Sequence, residues 1–225
     1  MPSPLHPLAL IAALLGAADV GNVLKALGED ARVRERTAPC RYRETTTIEE
    51  IDPEGKVLGR EVRVFNVQVR GMEVTQRQVV SVKKEGEPLP DLLAQPKERR
   101  GKQADRSPLH PQAQPDYQFE LNDGPREGEQ TVTIEPRTPG KDRVRGHAVV
   151  DARTHQLRSL ELSPLKVPVV LKSLTTGFEY GDTACGRLPV ALWVEGQGIP
   201  ILIETTFRSR SVLEDHTPVG VSMRE

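Results

Sequence analysis

Aromatic residues are scarce in this sequence: Phe, Trp and Tyr together make up 4% of its 225 residues. An excess of charge of one sign is also absent, because 31 Lys and Arg stand against 32 Asp and Glu, a formal net charge of −1. Proteins that bind nucleic acid usually carry clustered positive charge and, for single strands, stacking aromatics. Both absences disfavour nucleic acid as a partner, while the length fits a single domain.

Long apolar runs are lacking too, since no segment matches the ~20 residues that span a bilayer. The run LALIAALLG at residues 8–16 is followed by Ala17, Ala18 and the polar Asp19. This pattern is typical of a secretory signal. It predicts that residues 1–18 are cleaved and that residues 19–225 form one exported, soluble domain, which is expected to be monomeric. The alternative is a single amphipathic helix that continues past residue 18.

Only two cysteines are present, Cys40 and Cys185, and neither lies in a C-x-x-C spacing. Two isolated thiols cannot form a metal site by themselves. In an exported chain they are a disulfide candidate. The alternative is two small buried apolar side chains.

One helical pattern followed by a long series of β patterns is what the sequence does contain. Apolar residues recur at spacings of three and four between Asp19 and Arg36, which predicts an amphipathic helix. Three alternating segments follow between Cys40 and Lys84, and about seven more begin at Tyr117. Short turns, among them residues 195–198, join the strands in chain order. The predicted fold class is mainly β with few helices (α+β), built on one antiparallel sheet.

The stretch Glu85–Asp116 differs from the rest because it holds six prolines and the charged run PKERRGKQADR. It is predicted to be a long mobile loop that adds nothing to the core. Its cations offer a contact to an acidic partner, although a solvated linker is the favoured interpretation. These cations are Lys97, Arg99, Arg100, Lys102 and Arg106.

Motifs of common enzymes are missing: there is no G-x-S-x-G, no H-E-x-x-H and no glycine loop of the phosphate-binding type. Acidic residues cluster around the first predicted hairpin. Pairing with Arg41 and Arg43 on a wet sheet face is favoured for them over an acid/base catalytic pair. The acidic residues are Glu44, Glu49, Glu50, Asp52, Glu54 and Glu61.

Two histidines lie near each other in the sequence, on either side of a predicted turn centred on Arg153. Such a turn pairs Val150 with His155 and puts His147 on the opposite face of the sheet. Only a one-residue bulge would let the two imidazoles share a metal. No metal, no cofactor and no enzymatic activity are therefore predicted.

The order of these patterns resembles a known family. The helix DVGNVLKAL, the strands YRETTTIEEIDPEGKV and EVRVFNVQVRGMEVTQRQVV, the segment GHAVVDARTHQLRSLEL, an FEY strand and RLPVALWVEG…IPILIETTF carry the resemblance. They are similar to outer-membrane lipoprotein-sorting-like proteins, the LolA, LolB and RseB-like half-barrels. The family pattern of a glycine, a β-rich run, an Asp, a short turn and a Leu-x-Leu strand fits Gly146 to Leu162.

The resemblance implies an incomplete, curved antiparallel barrel that wraps around the N-terminal helix. It also implies an apolar concavity that binds lipid acyl chains or a lipoprotein in the periplasm, with transient contact to a membrane-associated partner. Candidate lining residues, for which packing of the helix against the sheet is the alternative, are Phe65, Val67, Val69, Val80, Ile134, Leu160, Leu162, Ile201, Ile203 and Phe207. Two further hypotheses are an envelope-sensing interaction module of the RseB-like type and an enzyme with an unrecognised carboxylate site.

Overall fold

The computed structural model describes residues 7–71, 73–89, 107–140, 142–167, 169–198 and 205–220, with the backbone alone for residues 7–18. Within these residues it contains one α-helix, α1 (Pro7–Glu35), and one sheet of eleven strands. The strands are β1 (Cys40–Ile51), β2 (Val57–Arg70), β3 (Glu73–Lys84), β4 (Glu87–Pro88), β5 (Tyr117–Asp123), β6 (Glu129–Pro136), β7 (Val144–Asp151), β8 (Leu157–Pro164), β9 (Leu171–Thr183), β10 (Gly186–Gly198) and β11 (Thr206–Pro218).

The sheet consists of two meanders joined by the last of these strands. Its order is β4-β3-β2-β1-β11-β10-β9-β8-β7-β6-β5. Because β11 pairs antiparallel with both β1 and β10, it connects the meander β1–β4 to the meander β5–β10. The sheet begins at β4 and ends at β5, so it is an open half-barrel around α1. The predicted fold class is confirmed.

Helix α1 covers one half of the sheet. Its residues Val23 and Leu27 are fully buried and contact side chains of β5 to β8. We call this cluster the helix-covered core; its buried members are Val23, Leu27, Leu109, Tyr117, Val132, Ile134, Ala148, Val150, Leu157 and Leu160. Full burial of one such large side chain contributes roughly 1.5–3 kcal/mol. In the described residues no helix is long and apolar enough to cross a membrane, and cleavage before Asp19 stays a prediction.

A second cluster lies in the other half of the sheet. We call it the disulfide-linked core; its buried members are Cys40, Phe65, Val67, Val69 and Leu188. Cys40 and Cys185 are bonded, with their Cα atoms 6.1 Å apart and a sequence separation of 145. The bond joins the start of β1 to the turn between β9 and β10, across the intervening strand β11.

Part of the proline-rich stretch belongs to the folded core. Leu109 is fully buried in the helix-covered core, and His110 beside it is buried as well. The Gln114 side-chain amide donates hydrogen bonds to the carbonyls of Leu24, on α1, and Leu109, at 3.0 and 2.9 Å. The prediction that residues 85–116 add nothing to the core is therefore wrong for residues 107–116.

Two predicted turns also differ from the structure. Residues 195–198 are not a reversal, because β10 continues to Gly198 and pairs on both sides. Gly196 instead permits close contact: a Cβ there would lie 2.3 Å from the Phe207 ring. Val150 pairs with Leu157, not with His155, because the turn after Asp151 is longer than predicted and His155 adopts a left-handed conformation with φ 55.

Candidate functional site

The inner face of the sheet is the face that carries both cores. The register places Thr46, Ser211, Leu192, Phe178 and Leu160 side by side on five consecutive strands. Directly opposed residues share a sheet face. Because Leu160 belongs to the helix-covered core, this whole row lies on the inner face.

Between the two cores, the inner face carries apolar side chains that belong to neither cluster. All of them are half-buried, and they lie on the four neighbouring strands β1, β11, β10 and β9. We call them the inner apolar strip, which consists of Ile48, Phe207, Leu192, Val194 and Leu174. Apolar side chains that remain partly accessible on a concave face provide contact area for an apolar ligand.

A buried carboxylate lies beside this strip. Glu44 Oε1 accepts hydrogen bonds from Thr46 Oγ1 at 2.9 Å, from Ser211 Oγ at 3.2 Å and from an Arg77 guanidinium nitrogen at 2.8 Å. The Arg77 guanidinium also lies 3.8 Å from the centroid of the Phe65 ring. A buried charge is tolerated only when it is paired and hydrogen-bonded. We call these four residues, Glu44, Thr46, Arg77 and Ser211, the Glu44 network.

Two further titratable groups flank the Glu44 network, and both are neutral near pH 7. The rings of Tyr42 and His216 lie 5.2 Å apart. Burial raises the pKa of Tyr42 to about 12; the Glu44 charge acts in the same direction and Arg77 in the opposite one. Burial also lowers the pKa of His216. Its buried Nε2 has no hydrogen-bond partner in the part of the chain that the structure describes.

The predicted lining residues are distributed over several environments. Buried members of the disulfide-linked core are Phe65, Val67 and Val69, and buried members of the helix-covered core are Ile134 and Leu160. Five candidates therefore pack the protein itself, as the alternative interpretation expected.

The other five candidates have different positions. Leu162 and Phe207 lie on the inner face and are half-buried. Val80 lies at a bulge in β3 without a partner on β2, and its side chain is 42% exposed. Ile201 and Ile203 lie outside the described residues, as do Lys97, Arg99, Arg100, Lys102 and Arg106 of the basic loop.

The predicted wet-face pairing of the acidic cluster is wrong for Glu44. Glu44 points to the inner face and pairs with Arg77, whereas Arg41 and Arg43 line a polar hollow of about 480 Å³ on the other face. Glu61 pairs with Arg63 and lies opposite Ile48, while Glu44 lies opposite Phe65. This register separates the two carboxylates by about 13 Å along the strands, and they do not face each other across a cleft.

Only one of the two histidines in the metal hypothesis lies on a strand of the sheet. His147 lies opposite Glu161 on the outer face, beside a hollow of about 600 Å³, and His155 lies in the turn before β8. Among residues that the structure describes, no three His, Cys, Asp or Glu side chains are grouped so as to hold a metal ion. Trp193 also lies on the outer face, with its indole over Gly177.

Sequence reasoning missed the Glu44 network because its members come from three distant parts of the chain. Glu44 and Thr46 alternate with residues of the outer face in β1, so the pattern alone does not tell which face is buried. Arg77 and Ser211 reach Glu44 only through the pairing of β2 with β3 and of β1 with β11. The only local signal for this network in the sequence was Thr46, which lies two positions after Glu44 on the same predicted strand.

Comparison with known proteins returns structural similarity without sequence similarity. No family model and no curated protein match the sequence. The chain is similar to a LolA superfamily protein from Nitrosomonas europaea, at 9% identity over 86% of this chain and 94% of that one, with a TM-score of 0.32. A DUF1329 family protein from Desulfovibrio piger gives 13% identity over 90% and 95% of the two chains, with a TM-score of 0.42.

A third similarity is to the MucA/MucB complex of Pseudomonas aeruginosa, at 11% identity over 89% of this chain and 100% of that one, with a TM-score of 0.30. At these scores the similarities concern architecture alone. The fold, an open half-barrel around a helix, is the one that the sequence resemblance implied, and its description rests on the observed strand register.

Proposed function

We propose that the inner face of the half-barrel binds one extended apolar chain, the acyl chain of a lipid or of a lipidated polypeptide, and that the protein serves as a periplasmic carrier. The observation that supports this proposal is the inner apolar strip, whose five side chains lie between two packed cores and belong to neither.

The dimensions of the strip suit such a ligand. Four neighbouring strands extend over about 14 Å across the sheet. Burial of each methylene group contributes about 0.8 kcal/mol, so that ten of them give ~8 kcal/mol before the entropic cost of binding. Few positioned polar groups are needed for a ligand of this class.

The Glu44 network has a structural role in this proposal. Glu44 Oε1 accepts three hydrogen bonds, which link β1 to β3 and to β11. We therefore assign the Glu44 network to holding the inner face in shape beside the ligand.

Titration with a fluorescent fatty acid tests the proposal. Val194 and Val212 form a matched pair, because they lie on the paired strands β10 and β11 but on opposite faces: Val194 on the inner face, Val212 on the outer face with 39% exposure. Wild type is expected to bind the probe saturably. Val194→Glu should weaken binding roughly tenfold or more because it places a charge in the apolar strip, and Val212→Glu should leave it unchanged.

Circular dichroism of both variants checks that they fold. Absence of saturable binding to the wild-type protein would overturn the proposal. Equal affinities of the two folded glutamate variants would also overturn it, because binding would then not occur on the inner face.

A further inference from the structure

The turn between β8 and β9 exposes two adjacent apolar side chains. Val169 is 97% exposed and Val170 is 67% exposed. Single exposed apolar residues are common on protein surfaces, but two adjacent β-branched side chains at the tip of a turn form a small apolar projection. This turn lies at the end of the half-barrel where β9 begins, at the same end as the β1–β2 turn.

Positive charge lies beside this projection in the chain. The segment 165–172, LKVPVVLK, contains two lysines and no acidic residue. Lys166 forms no ion pair with any residue that the structure describes. The Lys166 charge is therefore available to an external anion.

The neighbouring β6–β7 turn adds to the same surface. The Leu165 backbone N–H donates to the Arg143 carbonyl at 2.9 Å, which places the two turns side by side. Arg137 donates its side-chain hydrogen bond to the carbonyl of Pro115, so its charge is not neutralised by that contact. Arg143 pairs with Asp116, and Asp142 is the one acidic residue in segment 137–143.

We propose that these two turns form a docking surface for an anionic lipid bilayer. Val169 and Val170 enter the boundary between headgroups and acyl chains, while Lys166 and Arg137 contact lipid phosphates. Apolar residues flanked by cations are the combination that holds proteins at anionic membrane interfaces. The net charge of −1 provides no global attraction, so the interaction depends on this local surface.

The size of the projection favours a bilayer over a second copy of the chain. Stable protein interfaces bury roughly 800 Å² on each partner, and two valines supply only a small part of that area. A bilayer accepts a small projection because it surrounds the inserted side chains. The inference goes beyond the proposed function and does not depend on it.

Sedimentation with vesicles tests the docking surface. Phosphatidylcholine vesicles with and without phosphatidylglycerol are compared at low and high salt, using wild type, the double variant Val169→Asp/Val170→Asp and Val74→Asp. Val74 is the matched control because it is also exposed, at 51%, but lies at the start of β3, at the opposite end of the sheet.

Wild type should bind only the anionic vesicles and should release them at high salt. The affinity of the double variant for anionic vesicles should fall by roughly tenfold or more, and Val74→Asp should bind as wild type does. Fatty-acid uptake by the double variant should be unchanged, which separates this test from that of the inner face.

Three results would overturn the inference. The first is failure of wild type to bind anionic vesicles at low salt. The second is equal binding by the double variant and Val74→Asp. The third is sedimentation without lipid that the double variant abolishes, because the surface would then join copies of the chain.

Discussion

The two halves of the sheet stabilise their inner faces by different means. In the half formed by β5 to β8, helix α1 supplies apolar side chains to the buried cluster, and its buried Arg34 pairs with Asp30 of the same helix and lies over the Tyr180 ring. In the half formed by β1 to β3, no described residue of α1 belongs to the buried cluster. A disulfide and the Glu44 network are found there instead.

This difference shows what an open half-barrel requires. A sheet face that a helix covers can be apolar throughout, because both surfaces are removed from water together. A face without that cover needs cross-links that do not depend on a second apolar layer. The inner apolar strip lies between these two halves. It is the part of the inner face that neither helix α1 nor the disulfide-linked core fully buries.

Loss of the disulfide should have the largest effect on stability and should act mainly on the β1–β3 half. Closure of a loop with a sequence separation of 145 stabilises by about 5 kcal/mol in the chain-entropy model. Urea denaturation of Cys40→Ser/Cys185→Ser should show this loss, and hydrogen exchange should rise more in β1 to β3 than in β5 to β8. Wild type under reducing conditions is the control and should match the double variant; an unchanged denaturation midpoint in both would contradict the prediction.

Removal of apolar volume from the helix-covered core should have the next largest effect. Leu27 is fully buried against that core, and Leu27→Ala should lower the free energy of unfolding by about 2–5 kcal/mol. Val33→Ala, on the exposed side of the same helix, should change it by less than about 0.5 kcal/mol. Similar losses in the two variants would show that α1 does not pack through Leu27.

Substitution within the Glu44 network should have the smallest of the three effects. Glu44→Gln removes the charge that Arg77 pairs with and weakens the hydrogen bonds from Thr46 and Ser211, at a cost of about 1–3 kcal/mol. The pair between the half-buried Glu49 and the exposed Arg60 provides the comparison, and Glu49→Gln should cost no more than about 1 kcal/mol. Thermal denaturation of both variants measures the loss in the free energy of unfolding. Equal losses would mean that the buried Glu44 network stabilises the fold no more than the pair between Glu49 and Arg60 does.

The sequence predicted the sheet and the helix well because these depend on local periodicity. Alternation of apolar and polar residues located most strands, and spacings of three and four located the second half of α1. The face that Arg63, Phe65, Val67 and Val69 share was also visible in the pattern of β2.

What the sequence could not predict depends on contacts between distant segments. Gly196 looked like a turn residue, but its role is to make room for the Phe207 ring on the neighbouring strand. Leu109 is a single apolar residue among prolines, and only its position beside α1 shows that it is part of the core. Glu44 looked like a surface acid until pairing between strands brought Arg77 and Ser211 to it.

The position of β11 has a consequence for how the chain acquires its structure. Residues 206–218 are synthesised after every other described strand, yet they lie in the middle of the sheet between β1 and β10. Each meander can form from local hairpins, but their union requires contacts between segments far apart in the chain, which slows folding. Until β11 is inserted, β1 and β10 both present unpaired edges, which are prone to pair with other chains.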